Sequence, residues 1–230
     1  MSKRNKLKKF AEILDFPNVY ENYYPEDPKL LARDGVEADL KGKWASEHFK
    51  NENSITLELA CGRGEYTLAL ARMYPDRNFI GVDVKGARIW KGASIALEEN
   101  LQNAAFLRTR IEQLPLFFAE GEVSEIWITF PDPFLKKGKS NRRLTAMPFL
   151  DRYRKVLKTE GLIHLKTDEP VMSEFTLETV VNDEGSTLLY FDDDIYARPL
   201  PMPELDFKTY YERMHLAKAK TIKYLRFRIF

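Results

Sequence analysis

The sequence predicts an α/β fold: a doubly wound, mainly parallel seven-stranded sheet with helices on both faces. Three observations predict it. From residue 55 onward, short apolar runs alternate with stretches whose apolar residues recur at helical spacing. The alternation continues through at least five strand–helix units, as a parallel sheet requires. The first apolar run leads into a glycine loop, "ACGRGEY", which suits a tight strand-to-helix turn.

Each element follows in order. "ITLELA" is a strand and "EYTLALARMY" the helix after the glycines. "NFIGVD" is the second strand and "ARIWKGASIALEEN" the second helix. "AAFLRT" is the third strand, followed by a short helix or turn in "IEQLPLFF". "EIWITF" is the fourth strand, and "AMPFLDRYRKVLKTEG" reads as an amphipathic helix stopped by Gly161. "LIHLKT" is the fifth strand, and "EPVMSEFTLETVV" is a helix with Pro170 in its first turn. "TLLYF" and "IKYLRFRIF" complete the sheet.

The 230 residues suit one domain. Residues 1–50, polar and punctuated by prolines, read as an N-terminal basic arm or cap, and residues 51–230 as the domain itself. One cysteine, Cys61, excludes a disulfide framework and fits a cytoplasmic protein. The three histidines, His48, His164 and His215, are scattered and offer no metal-binding spacing. No apolar run is long enough to cross a membrane. The net charge is only +1, but the cations are segregated. Five bases and no acid occupy Lys3 to Lys9, and five more occupy Lys136 to Arg143. Six occupy the last eighteen residues. Such clusters can present a basic face to a polyanion although the chain is near neutral.

Open α/β sheets bind ligands beyond the carboxyl ends of their strands. Glu58 ends the first strand, with Gly62 and Gly64 just after it, where glycines let a backbone turn tightly beside a ligand. A dinucleotide fingerprint would want Gly or Ala where Thr67 stands. Cys61 reads as a small residue tucked under a ligand. Asp83 ends the second strand, at the place where an acid accepts hydrogen bonds from ribose hydroxyls. Thr109 or Arg110 follows the third. After the fourth comes "FPDPFLKKGKSNRRL", in which Pro131 and Pro133 fence Asp132. A residue before proline favours extended backbone, so a stiff, extended loop is expected at Phe130 and Asp132. Rigidity suits a carboxylate that must be aimed. After the fifth strand, Thr167 or Asp168 could cap the helix that Pro170 opens. Thr209 and Glu212 have the spacing of a capping box.

Together these residues resemble a class I S-adenosylmethionine-dependent methyltransferase. More narrowly, "FPDPFLKK", "NRRL", the "TD" of Thr167 and Asp168, and the "TYYE" of Thr209 to Glu212 resemble the tRNA (guanine-N7-)-methyltransferase family over roughly residues 55 to 215. The resemblance implies that Glu58, Gly62, Gly64, Asp83, Arg110 and Asp132 bind S-adenosylmethionine and that Asp132 is the catalytic acid. It implies that Lys136, Asp168, Thr209 and Glu212 bind the substrate, a tRNA methylated at guanosine 46 of its variable loop. Lys137, Lys139, Arg142 and Arg143 are expected to hold the RNA backbone. The chain departs from the family in having Ala60 for Gly, Arg110 for Asp or Asn, and Phe134 for Trp. Two other readings fit part of the pattern. A methyltransferase of the same fold acting on a protein or a small molecule would use the three acids and leave the cations idle; another RNA as its substrate stays open. An RNA-binding relative without activity would keep the cations and lose the cofactor.

Overall fold

The structure, a computed structural model, describes residues 9–22 and 26–230, with Lys137 described at its backbone alone. Most of the first basic cluster therefore lies outside the described residues. Among the described residues, eight strands form one sheet: β1 (Val19–Glu21), β2 (Ile55–Leu59), β3 (Asn78–Asp83), β4 (Ala104–Arg108), β5 (Val123–Thr129), β6 (Leu157–Thr167), β7 (Ser186–Asp192) and β8 (Lys223–Ile229). The order across the sheet is β1-β4-β3-β2-β5-β6-β8-β7. The first six in that order pair in parallel, and β8 runs antiparallel to both its neighbours.

From β2 onward the α-helices are α1 (Glu65–Met73), α2 (Gly86–Glu98), α3 (Leu114–Phe117), α4 (Met147–Arg154), α5 (Pro170–Asn182) and α6 (Tyr210–Leu216). Two apolar clusters flank the sheet. One gathers Trp44, Phe118, Leu150 and Tyr153, the other Tyr66, Phe106, Trp127 and Tyr224. Among the described residues no helix is long and apolar enough to cross a membrane.

Two local readings change. Among the described residues the sheet has eight strands, not seven, because β1 comes from the segment before residue 51 and adds to the β4 edge. Three residues are too few for a period-2 pattern to register. The same segment also packs inward. Trp44 is fully buried, stacks on Phe118 with centroids 5.4 Å apart, and donates Nε1–H to the Phe117 carbonyl at 2.9 Å. The helix expected to reach Gly161 ends at Arg154. Val156 and Leu157 already pair with β5, and Lys158–Gly161 form an excursion within β6. Strand pairing with β5 there outweighs a helical spacing that the lysines merely continue.

From β2 the chain winds outward through β3 and β4, then returns to lay β5 on the other side of β2. The strand order thus reverses between β2 and β5. The crevice at their carboxyl ends is where such folds bind ligands.

Candidate active site

The loop leaving β2 alternates left-handed residues: Ala60 at φ +56°, Gly62 at +57° and Gly64 at +65°. Gly64 is doubly constrained, since a Cβ there would stand 2.4 Å from the Phe106 ring. Above Gly62 the space is open, and an added Cβ would find nothing nearer than the Ala60 carbonyl at 4.0 Å. Bare backbone is therefore offered to a ligand. Asp83 braces this loop from β3, its carboxylate accepting from the Gly62 N–H at 2.9 Å and the Lys85 N–H at 2.8 Å.

Glu58 is buried beneath the loop. One of its oxygens accepts from the Thr67 N–H at 2.7 Å and the Thr67 hydroxyl at 2.5 Å. The other accepts from the Thr129 hydroxyl at 3.0 Å. Burial, only partly offset by these donors, pushes its pKa up to about 7. Glu58 thus ties the first turn of α1 to the end of β5. This explains Thr67, which a dinucleotide loop would replace with a smaller residue.

A cleft of ≈ 620 Å³ opens beside the loop. Its walls come from Asp83, Lys85 and Arg88 after β3, Ile111 and Glu112 after β4, and Phe130, Asp132 and Phe134 after β5. Asn141, Arg142 and Arg152 close the far side. A smaller cavity of ≈ 80 Å³ adjoins it, sharing Ala60, Arg88 and Phe130 and adding Glu58, Gly62, Thr129, Thr209, Tyr210 and Tyr211.

The fenced loop is not simply extended. Phe130 and Phe134 lie at φ +49° and +43°. The bias from the following proline is overridden at Phe130, whose N–H donates to the Lys166 carbonyl at 2.8 Å and whose ring stacks on His215. Asp132 between them is exposed to the cleft, and its Oδ1 accepts from the Phe134 N–H at 3.2 Å.

The structure brings Glu58, Gly62, Asp83, Asp132, Arg142 and Thr209 to these connected cavities, with Gly64 in the loop beneath. It moves others away. Arg110 is exposed and outside the cleft, whose wall after β4 is made by Ile111 and Glu112 instead. Arg143 is buried, not offered to a backbone. Glu212 is fully buried and pairs with Lys166 at 2.8 Å, while also accepting from the Tyr196 hydroxyl at 2.5 Å. With Thr209 it completes a true capping box at the start of α6. Asp168 is held by His215 and Lys220, and α5 is capped by Glu169 rather than by Thr167 or Asp168. Lys136 and Lys139 are exposed beyond the cleft wall. The Lys137 side chain lies outside the described residues. Sequence reasoning missed Arg88, which faces both cavities, and Thr129. Neither carries a local motif: Thr129 is the last residue of β5, and Arg88 lies in the first turn of α2.

This fold and site define a class I methyltransferase. A family model described as "Putative methyltransferase" matches residues 52–225. The solved 16S rRNA (adenine(1408)-N(1))-methyltransferase from Catenulisporales acidiphilia is similar in fold, with a TM-score of 0.59 at 16% identity over 84% of this chain and 94% of that one. The sequence relatives are narrower. A tRNA (guanine-N(7)-)-methyltransferase of Bacteroides fragilis (strain YCH46) is 50% identical over 97% of this chain and 85% of its own. One from Christiangramia forsetii is 49% identical over the full length of both. The chain belongs to the tRNA (guanine-N7-)-methyltransferase family.

Proposed function

We propose that this protein transfers the methyl group of S-adenosylmethionine to N7 of a guanosine in tRNA, giving 7-methylguanosine, and that the target is guanosine 46 of the variable loop. The observation that carries the reading is the placement of Asp132 at the strand-order reversal, on a braced loop facing a cleft whose opposite wall holds Asp83.

The residues present fit the cofactor. Asp83 suits ribose hydroxyls, Ile111 and Glu112 would flank the base, and the open backbone over Gly62 would take the amino-acid end. When bound, S-adenosylmethionine supplies a methyl group on a positively charged sulfur. Guanine N7 is an in-plane acceptor without a proton. It therefore needs no general base before it attacks. The purine gains positive charge as it is methylated, and the Asp132 carboxylate stabilises that charge as it develops. The same carboxylate can accept from guanine N1–H and N2–H₂, which adenine does not offer. Reaching that edge requires the base to leave its stack. Arg142 in the cleft wall, with Lys136 and Lys139 further out, would hold the flanking phosphates. Thr209 lines the smaller cavity and would contact the substrate from the α6 side.

The test is methyl transfer from labelled S-adenosylmethionine to unmodified tRNA, followed by nucleoside analysis. The expected product is 7-methylguanosine, lost when guanosine 46 is replaced. Label in another nucleoside, or in protein or small-molecule pools only, contradicts the proposal.

A further inference from the structure

We propose that Arg143 is a positioning residue that holds Asp132 in its working direction from inside the protein, an inference that rests on the catalytic reading of Asp132 above. By sequence, Arg143 is one more cation in a run of five. Its surroundings say otherwise. It is only 6% exposed. Its Nε–H donates to the Pro133 carbonyl at 2.8 Å and its Nη2–H to the Phe134 carbonyl at 3.2 Å. Its guanidinium lies 4.5 Å from the centroid of the Phe175 ring on α5. One rigid fork thus grips two consecutive peptide carbonyls, which the point charge of a lysine cannot reproduce.

Those carbonyls belong to the two residues directly after Asp132. The Phe134 N–H donates to Asp132 Oδ1 at 3.2 Å. Phe134 itself sits at φ +43°, a backbone conformation that a bulky residue keeps only when its surroundings impose it. Pro131 and Pro133 limit their own φ angles, but neither sets the conformation of Phe134. Arg143 holds the carbonyls on both sides of the Phe134 N–H and so fixes where that N–H points. The aim of the Asp132 carboxylate follows from it. Arg142 has the opposite placement: it lines the cleft and stacks over the Phe134 ring at 4.9 Å. Adjacent arginines therefore divide two tasks, one facing the RNA and one holding the loop.

The test compares Arg143→Lys, which keeps the charge and loses the fork, with Arg142→Ala and Asp132→Ala. Arg143→Lys is expected to lower kcat by about 10- to 10²-fold, as a misplaced reacting group does. Its KM for tRNA, the salt dependence of tRNA binding and S-adenosylmethionine affinity should stay at wild-type values. Arg143→Ala should lose more and regain turnover when guanidinium is added at concentrations below those that denature. In an Asp132→Ala background, Arg143→Lys should change turnover less than about twofold, because the group it aims is gone. Weaker tRNA binding with a flattened salt dependence and intact kcat would make Arg143 an RNA contact and overturn the proposal. Multiplying losses in the double variant, or no rescue by guanidinium, would sever its link to Asp132. Near-normal turnover of Asp132→Ala alone overturns the parent reading, and this inference with it. The first two outcomes leave that reading standing.

Discussion

Ala60 and Phe130 stand in left-handed backbone at the ends of β2 and β5, the two strands between which the sheet reverses. Such backbone costs an L-residue ~1–2 kcal/mol, and strain of this kind gathers where chemistry is done. At Ala60 the cost is removable. Ala60→Gly should stabilise the fold by up to ~1 kcal/mol, the relief being partly cancelled by glycine's freedom when unfolded. Urea denaturation checks it, and a loss of stability would mean that no strain is stored there. Glu58 carries a different cost. Its folded pKa, pushed up to about 7, lies above the ordinary carboxylate value. Between the two values the folded state binds more proton than the unfolded state, so this group lowers stability as pH rises from about 4.5 to about 7. Glu58→Gln removes the titration. The stability of the wild type relative to the variant should therefore fall between pH 5 and pH 8. A difference that stays constant with pH would show that Glu58 does not titrate in that window.

α6 illustrates what a short element takes from its surroundings. Seven residues are too few to be helical alone. Thr209 and Glu212 cap its start, and the Tyr210 N–H donates to Glu65 at 2.8 Å, tying the helix to the first residue of α1. Beneath it Lys166 and Glu212 form an ion pair with both side chains fully buried. The Lys166 ammonium also donates to the Leu205 and Phe207 carbonyls, yet desolvation still holds its pKa below the usual lysine value. Lys166→Met should destabilise the protein by ~3–5 kcal/mol, since it strands a buried carboxylate. Adding Glu212→Gln should recover part of that loss by removing the charge while leaving an acceptor for Tyr196. Thermal and chemical denaturation measure both, and a double variant less stable than Lys166→Met would contradict this role for the pair. The cap could be read from the sequence because its partners are three residues apart. The ion pair spans residues 166 and 212, and only the folded chain brings them together. The same distinction explains Arg143, whose partners lie nine and ten residues back on a loop of unusual backbone.

Across the molecule, the sheet determines which residues share a site. Its doubly wound, mainly parallel character could be anticipated because alternating strands and helices admit few arrangements. The acids at the strand ends, Glu58, Asp83 and Asp132, could be anticipated with it. Edge strand β1 and the inward packing of Trp44 were not legible, because their patterns are short and their partners distant. The cation cluster was legible as a cluster but not in its division, since exposure and burial do not differ in sequence between Arg142 and Arg143. One measurement decides whether this arrangement works as described: turnover of Asp132→Ala alongside its affinities for S-adenosylmethionine and tRNA. Loss of one preorganised charge contact should lower kcat by on the order of 10² or more while both affinities change little. Near-normal turnover would contradict the role of Asp132, and with it the reason for placing a braced carboxylate at the point where the sheet reverses.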